Sequence, residues 1–135
     1  MAFSWHLADD DRVLVTTYAG VVTAADLRHS QEERAELIRT TPSLRYLLND
    51  YGGADRLDIP MDAVIGNAEG ASTKLAEIAT ELRLAFVVPA GLAHGLARVW
   101  TAHVETSGWQ VRIFRGRDEA EAWLRDESGS PLTFR

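Results

Sequence analysis

The stretch Arg83–Asp126 reads RLAFVVPAGLAHGLARVWTAHVETSGWQVRIFRGRDEAEAWLRD, and its period changes three times. Leu84-Ala85-Phe86-Val87-Val88 is a continuous apolar run closed by Pro89-Ala90-Gly91. Leu92, Leu96, Val99, Trp100 and His103 then recur at helical spacing. Beyond Ser107-Gly108 a second run, Val111-Arg112-Ile113-Phe114, leads into Asp118-Glu119-Ala120-Glu121-Ala122-Trp123-Leu124, where Asp118 and Glu121 have the spacing of a helix cap. Strand, helix, strand, helix in this order predicts a parallel sheet. The uninterrupted run 84–88 predicts a central strand covered on both faces. Phe114, Trp123, Leu124, Leu96 and Trp100 are predicted to meet in the core.

Working back towards the N-terminus, Phe3, Trp5 and Leu7 alternate with Ser4 and His6 as in a half-buried strand. Asp9-Asp10-Asp11 makes the turn to a second strand, Arg12 to Ala19, which Gly20 ends. Thr23, with Asp26 three residues on and Val22 and Leu27 around them, marks a helix start. That helix stops near Thr40, ahead of Pro42. Its apolar face is thin (Leu27, Leu37, Ile38) and its middle is charged (Glu32, Glu33, Arg34), which predicts a surface helix. A third strand spans Leu44 to Tyr51 and is broken at Asp50-Tyr51-Gly52-Gly53. Asp58 before Pro60 opens a short helix, and Ser72 a second one carrying Leu75, Ile78, Ala79 and Leu82.

The fold class is therefore α/β, β-β-α-β-α-α-β-α-β-α, with a mostly parallel five-stranded sheet and an antiparallel first strand. One domain at 1–127 is expected, followed by a poorly structured tail at 128–135 around Ser128-Gly129-Ser130-Pro131.

The chain has 135 residues, no cysteine and a net charge of −6. Disulfides and thiolate metal sites are excluded. The 14 basic residues are scattered, whereas a phosphate backbone requires a concentrated basic face, so no nucleic-acid partner is expected. No apolar run approaches bilayer length, and no basic-apolar leader stands ahead of the first strand, so a cytoplasmic protein is expected. A peripheral membrane contact stays open.

Phe114-Arg115-Gly116-Arg117-Asp118-Glu119-Ala120-Glu121-Ala122-Trp123-Leu124 resembles the C-terminal signature of the SpoIIAA-like, or STAS-like, family. Gly95-Leu96-Ala97-Arg98, the apolar strand ending at Pro89, and Gly20-Val21-Val22-Thr23 ahead of a helix are similar to that family as well. The resemblance implies an α/β domain of the STAS and Sec14 type. Its relatives include anti-sigma-factor antagonists, stressosome components and sulfate-transporter domains, and the SpoIIAA-like branch is suspected of holding apolar ligands under mobile helices. Anti-sigma-factor antagonists carry a phosphorylatable serine just after the third strand. Here Asn49 to Asn67 contains no Ser or Thr, so that switch is missing.

Catalytic motifs are scarce. The sequence has no nucleophile elbow, phosphate loop or dinucleotide fingerprint, and Gly52-Gly53 reads as a turn. Asp50 at a strand end is a candidate acid or base without a partner carboxylate. His6, His29, His94 and His103 lack metal-ligand spacing, so neither a metal nor a cofactor is expected. The reading is a non-catalytic binding or interaction module for a protein partner. The alternative is a carrier of an apolar small molecule or lipid, and a small cleft enzyme is the rival from another class. For a ligand site the candidates are Ile59, Met61, Val64, Ile65, Gly91, Leu92, His94 and Arg98. The segment 58–70 would cover the C-terminal strand ends, with His94 or Arg98 taking an anion or head group. A plain core-packing helix at 58–70 is the equal alternative. Trp5, on an edge strand, is a candidate dimer contact.

Overall fold

The computed structural model describes residues 2–66, 69, 81–89 and 109–135. The elements run β1 (Phe3–Ala8), β2 (Val13–Thr23), α1 (Ala24–Thr40), β3 (Tyr46–Asp58), β4 (Arg83–Val87), β5 (Gln110–Phe114) and α2 (Arg117–Ser128). Residues 61–66 add a helical segment after β3. The expected helices at 72–82 and 92–103 fall outside the described residues, except for Glu81 and Leu82. Neither is helical: Leu82 is buried just ahead of β4, and its carbonyl accepts from the Gln110 backbone N–H at 3.0 Å.

The five strands form one sheet in the order β1-β2-β3-β4-β5. β1 is antiparallel to β2 and every other pair is parallel, as expected. β4 lies between β3 and β5 and is covered on both sides. Leu84, Phe86 and the following Val88 join one core, while Ala85 and Val87 join the other. This is the physical content of the unbroken 84–88 run, since with both faces dry no position alternates to polar.

The two cores have different covers. On one face Leu14, Tyr18, Val22, Leu47, Tyr51 and Leu84 meet Ile38 of α1 and Val64 of the 61–66 segment. On the other, Val13, Val15, Leu48, Ala85 and Val87 meet Ala120, Trp123 and Leu124 of α2. Each fully buried leucine or valine contributes about 1.5–3 kcal/mol relative to exposure. Phe114 meets Trp123 as predicted, their rings 5.8 Å apart, but is only half-buried. Leu96 and Trp100 lie outside the described residues.

Local signals at the start of α1 are satisfied in detail. The Thr23 hydroxyl accepts from the Asp26 backbone N–H at 3.3 Å, and the Asp26 carboxylate accepts from the Thr23 N–H at 2.9 Å. The Ala2 N–H also reaches this carboxylate, at 3.3 Å. The Thr23 backbone N–H is the main cause that holds the Asp26 carboxyl below its ordinary value; the Thr23 hydroxyl and Ala2 assist, and burial opposes them. A lowered folded pKa stabilises the fold above the unfolded carboxyl value of about 3.9, and that stability is lost as pH falls through the folded value. Thr23→Ala is expected to cost about 0.5–2 kcal/mol in urea unfolding at neutral pH. Asp26→Asn should flatten the acid limb of stability against pH, and an acid limb identical to wild type would remove this box from the account.

Several expectations are corrected by long-range structure. β2 does not stop at Gly20 and β3 does not break at Gly52-Gly53. The two strands run on in parallel register as far as Thr23↔Asp58, with irregularities between Thr17 and Ala19 and between Gly20 and Val21. Gly20 takes φ +71°, which suits the irregularity. Gly53 lies so close to β2 that a Cβ there would sit 3.0 Å from the Tyr18 carbonyl oxygen. These glycines are strand residues at a bulged close approach, not a turn.

Asp58 is the last residue of β3, not a helix cap. The first helical turn instead uses the Pro60 carbonyl, which accepts from Ala63 at 3.0 Å and Val64 at 3.2 Å. α2 begins one residue before the anticipated cap. Gly116 is its N-cap and no side chain caps it, while Glu121 binds Arg117 at 2.7 Å and Arg125 at 3.4 Å. The tail is docked: Leu132 and Phe134 are buried in the α2-side core. The Leu132 carbonyl accepts from Arg125 at 3.0 Å, and the Phe134 carbonyl lies 3.1 Å from the His6 ring.

Arg34 departs furthest from its expectation. The buried stripe of α1 is Ser30, Arg34 and Ile38, so this guanidinium faces the sheet and is only 4% exposed. It donates to the Tyr18 hydroxyl at 3.1 Å, Tyr18 donates to Ser30 at 2.8 Å, and Ser30 donates to the Leu27 carbonyl at 3.0 Å. Tyr18 stacks on Tyr51 with ring centres 4.1 Å apart and planes within 3°. Burial pushes the Tyr51 phenol well above its ordinary value, and Tyr18 adds to this while Arg34 pulls the other way.

Candidate functional site

Parallel strands place their C-terminal ends together, and in open α/β sheets that end is where ligands bind. Here it is built from the prolonged β2–β3 pair, the 61–66 segment and the end of β4. The 19–23 and 52–58 arms extend past the last β1 pairing at Tyr18 and the last β4 pairing at Asp50. They therefore form a two-stranded projection. Its one face holds buried Val22 with half-buried Ala54 and Leu57. Val21 is left 42% exposed.

The predicted ligand residues separate. Val64 is buried in the core and Ile59 packs against that core. Ile65 is half-buried, and Met61 at the helix start is 47% exposed. Residues 61–66 are thus anchored through Val64, as a core-packing helix would be. Gly91, Leu92, His94 and Arg98 lie outside the described residues.

Asp50 closes the paired part of β3 and is taken up structurally. Its Oδ1 accepts from the Gly52 backbone N–H at 2.7 Å and its Oδ2 lies 3.3 Å from Arg117. Arg117 in turn holds Glu121 and reaches the Phe134 carbonyl at 3.4 Å. The carboxylate fastens β3 to α2 and the tail, which accounts for it without catalysis. Among the described residues no cluster of His, Asp and Glu could hold a metal ion.

A concavity opens at the opposite end of the sheet. It encloses about 440 Å³ and is lined by Trp109, Gln110, Val111, Arg112, Trp123 and Glu127. The Arg112 guanidinium lies 5.5 Å from the Phe114 ring centre and 5.8 Å from that of Trp123. Arg83 and Glu127, 3.6 Å apart, bridge β4 to α2 beside it. Sequence reasoning missed this groove, because its walls come from β5 and α2 and no local pattern joins them.

Trp5 on β1 is 41% exposed, in keeping with the edge-strand reading. No helix among the described residues is long and apolar enough to cross a membrane.

No family model matches the sequence, and no curated protein matches it. Solved structures do match. The anti-sigma factor antagonist SpoIIAA in its unphosphorylated form is similar over 92% of this chain and 98% of its own, with 14% identity and a TM-score of 0.58. A protein of the DUF3478 family with a SpoIIAA-like fold, from Shewanella loihica PV-4, is similar over 91% and 93%, with 14% identity and a TM-score of 0.57. The phosphorylated form of SpoIIAA from Bacillus matches over 92% and 100%, with 10% identity and a TM-score of 0.55. The chain has a SpoIIAA-like, STAS-type fold. At these identities the likeness establishes the fold alone.

Proposed function

We propose that this chain is a non-catalytic interaction module that meets a protein partner at the C-terminal ends of its parallel strands. The supporting observation is the apolar exposure at that end. Of the large apolar side chains left exposed among the described residues, Val21 and Met61 belong to it. Exposed apolar groups on an otherwise polar rim are the usual mark of a protein contact. Two carboxylates beside this end already serve the fold: Asp50 is bound to Gly52 and Arg117, and Asp26 to Thr23. SpoIIAA is described as an anti-sigma factor antagonist, and a role through protein contact is the part of that description carried over here. The serine switch of such antagonists is not part of the reading.

The test is a paired capture experiment with the full chain and the Val21→Asp/Met61→Asp variant, both checked for native unfolding midpoints. A partner held by wild type and lost from the variant, by tenfold or more in affinity once purified, supports the reading. Equal retention by both would move the contact to another surface. Native mass spectrometry of the purified chain checks the carrier alternative: an apolar small molecule travelling with the protein would favour it. His94→Ala and Arg98→Ala, assayed for loss of anion binding, test the head-group role expected of those residues.

A further inference from the structure

The two outer strands of the sheet differ in their protection. β5 carries Arg112 at its middle, exposed to water. β1 reads Phe3-Ser4-Trp5-His6-Leu7-Ala8 and holds no Lys, Arg, Asp, Glu or Pro. Its register with β2 runs unbroken from Phe3↔Tyr18 to Ala8↔Val13, so no bulge twists it away. Charge, proline and bulges are the means by which a sheet edge is kept from pairing with another chain, and β1 has none of them.

The hydrogen-bonding groups of this edge can be assigned. The Ala19 N–H donates to the Ala2 carbonyl at 2.9 Å, and the Tyr46 N–H donates to the Arg12 carbonyl at 3.1 Å. Val15 and Thr17 of β2 therefore bond towards β1, while Leu14 and Thr16 bond towards β3. By the register, Ser4 and His6 are the β1 residues bonded to β2, and the N–H and C=O groups of Phe3, Trp5 and Leu7 point outward. No hydrogen bond reaches those outward groups among the described residues. Phe3 and Leu7 pack on the Tyr18 core, and strand alternation puts Trp5 on the same face between them. Its side chain is 41% exposed.

We propose that β1 pairs with β1 of a second copy of this chain, antiparallel about a two-fold axis at Trp5. The outward groups dictate the register. Residues that exchange both backbone bonds face each other, so Trp5 faces Trp5 of the second copy and Phe3 faces Leu7. Ser4 then faces His6. Apolar meets apolar and polar meets polar, so the strand is complementary to itself, as a two-fold contact requires. Each Trp5 ring gains Phe3 and Leu7 of the second copy as diagonal neighbours. Charge selects the same place. At a net −6 two copies repel one another, and β1 offers them a strip without charge. The acidic Asp9–Asp11 turns lie beyond opposite ends of the pairing and stay apart. This edge is distinct from the contact face proposed above, and either can fail alone.

Sedimentation velocity of the purified full chain over a concentration series tests the pairing. A contact confined to one edge strand is small, so a dimer dissociating at about micromolar concentration is expected. Hydrogen exchange separates this edge from any other dimer contact. As concentration rises, exchange should slow at the Phe3, Trp5 and Leu7 amides and stay unchanged at Ser4 and His6, which β2 already holds. Trp5→Lys sets two like charges face to face and should raise the dissociation constant tenfold or more. Should that variant lose the native unfolding midpoint, Trp5→Thr, a good strand former without the ring, should weaken the dimer by a similar factor. A monomer up to about millimolar concentration, a dimer indifferent to both substitutions, or slowed exchange at the three amides only with a co-purified protein would overturn the self-pairing.

Discussion

Trp123→Ala is expected to lower the unfolding free energy by about 3–5 kcal/mol. The side chain lies on the inner face of α2 with Ala120 and Leu124, packed against the Val13, Val15, Leu48, Ala85 and Val87 face of the sheet and the docked Leu132 and Phe134. Its ring also meets Phe114 at 5.8 Å and carries the Arg112 guanidinium. Truncation removes the transfer free energy of a large aromatic and leaves a cavity that β-strand neighbours cannot collapse into. Urea unfolding, read as a shift in midpoint at constant slope, measures the loss. A cost below about 1 kcal/mol would mean that α2 does not rest on the sheet through this residue.

Tyr18→Phe should cost about 1.5–3 kcal/mol although it removes a single oxygen, because among the described residues that oxygen is the only hydrogen-bond partner of a buried guanidinium. The loss depends on Arg34 being charged and buried, so it should largely vanish in an Arg34→Met background, where Tyr18→Phe costs little beyond its bond to Ser30. Arg34→Met itself should be neutral or stabilising by about 1–4 kcal/mol, as replacement of a buried charge by a well-packed apolar chain often is. The double-mutant cycle therefore predicts a coupling above about 1 kcal/mol. Additive losses would show that the arginine reaches water in solution.

The contact face and the Arg34–Tyr18 pair answer to different perturbations. Aspartates at Val21 and Met61 replace side chains that are 42% and 47% exposed and should leave stability within about 1 kcal/mol of wild type, the cost of a poor strand former at position 21 included. Substitutions at Arg34 and Tyr18 change stability first.

What the sequence determined by itself was everything that a few neighbouring residues can settle. The Thr23–Asp26 box is a contact at i, i+3 and formed as read. The Asp9-Asp10-Asp11 turn, the alternation around Phe3 and Leu7, the end of α1 before Pro42 and the doubly buried 84–88 strand are equally local, and together they imposed the parallel sheet with its antiparallel first strand. The tertiary structure decided whatever depends on a distant partner. Gly52 and Gly53 have the composition of a turn, yet pairing with β2 holds them extended and carries β3 to Asp58. Asp50 looked like a free carboxylate until Arg117, 67 residues away, was placed against it. Ser-Gly-Ser-Pro signals a loose tail, but Leu132 and Phe134 beyond it find an apolar face to bury. Arg34 stands in a charged run on a thinly apolar helix, and only the position of Tyr18 on β2 turns it inward. Local preferences amount to about 1 kcal/mol or less per residue, whereas burying a large side chain or pairing a strand is worth more, so distant contacts prevail wherever the two disagree.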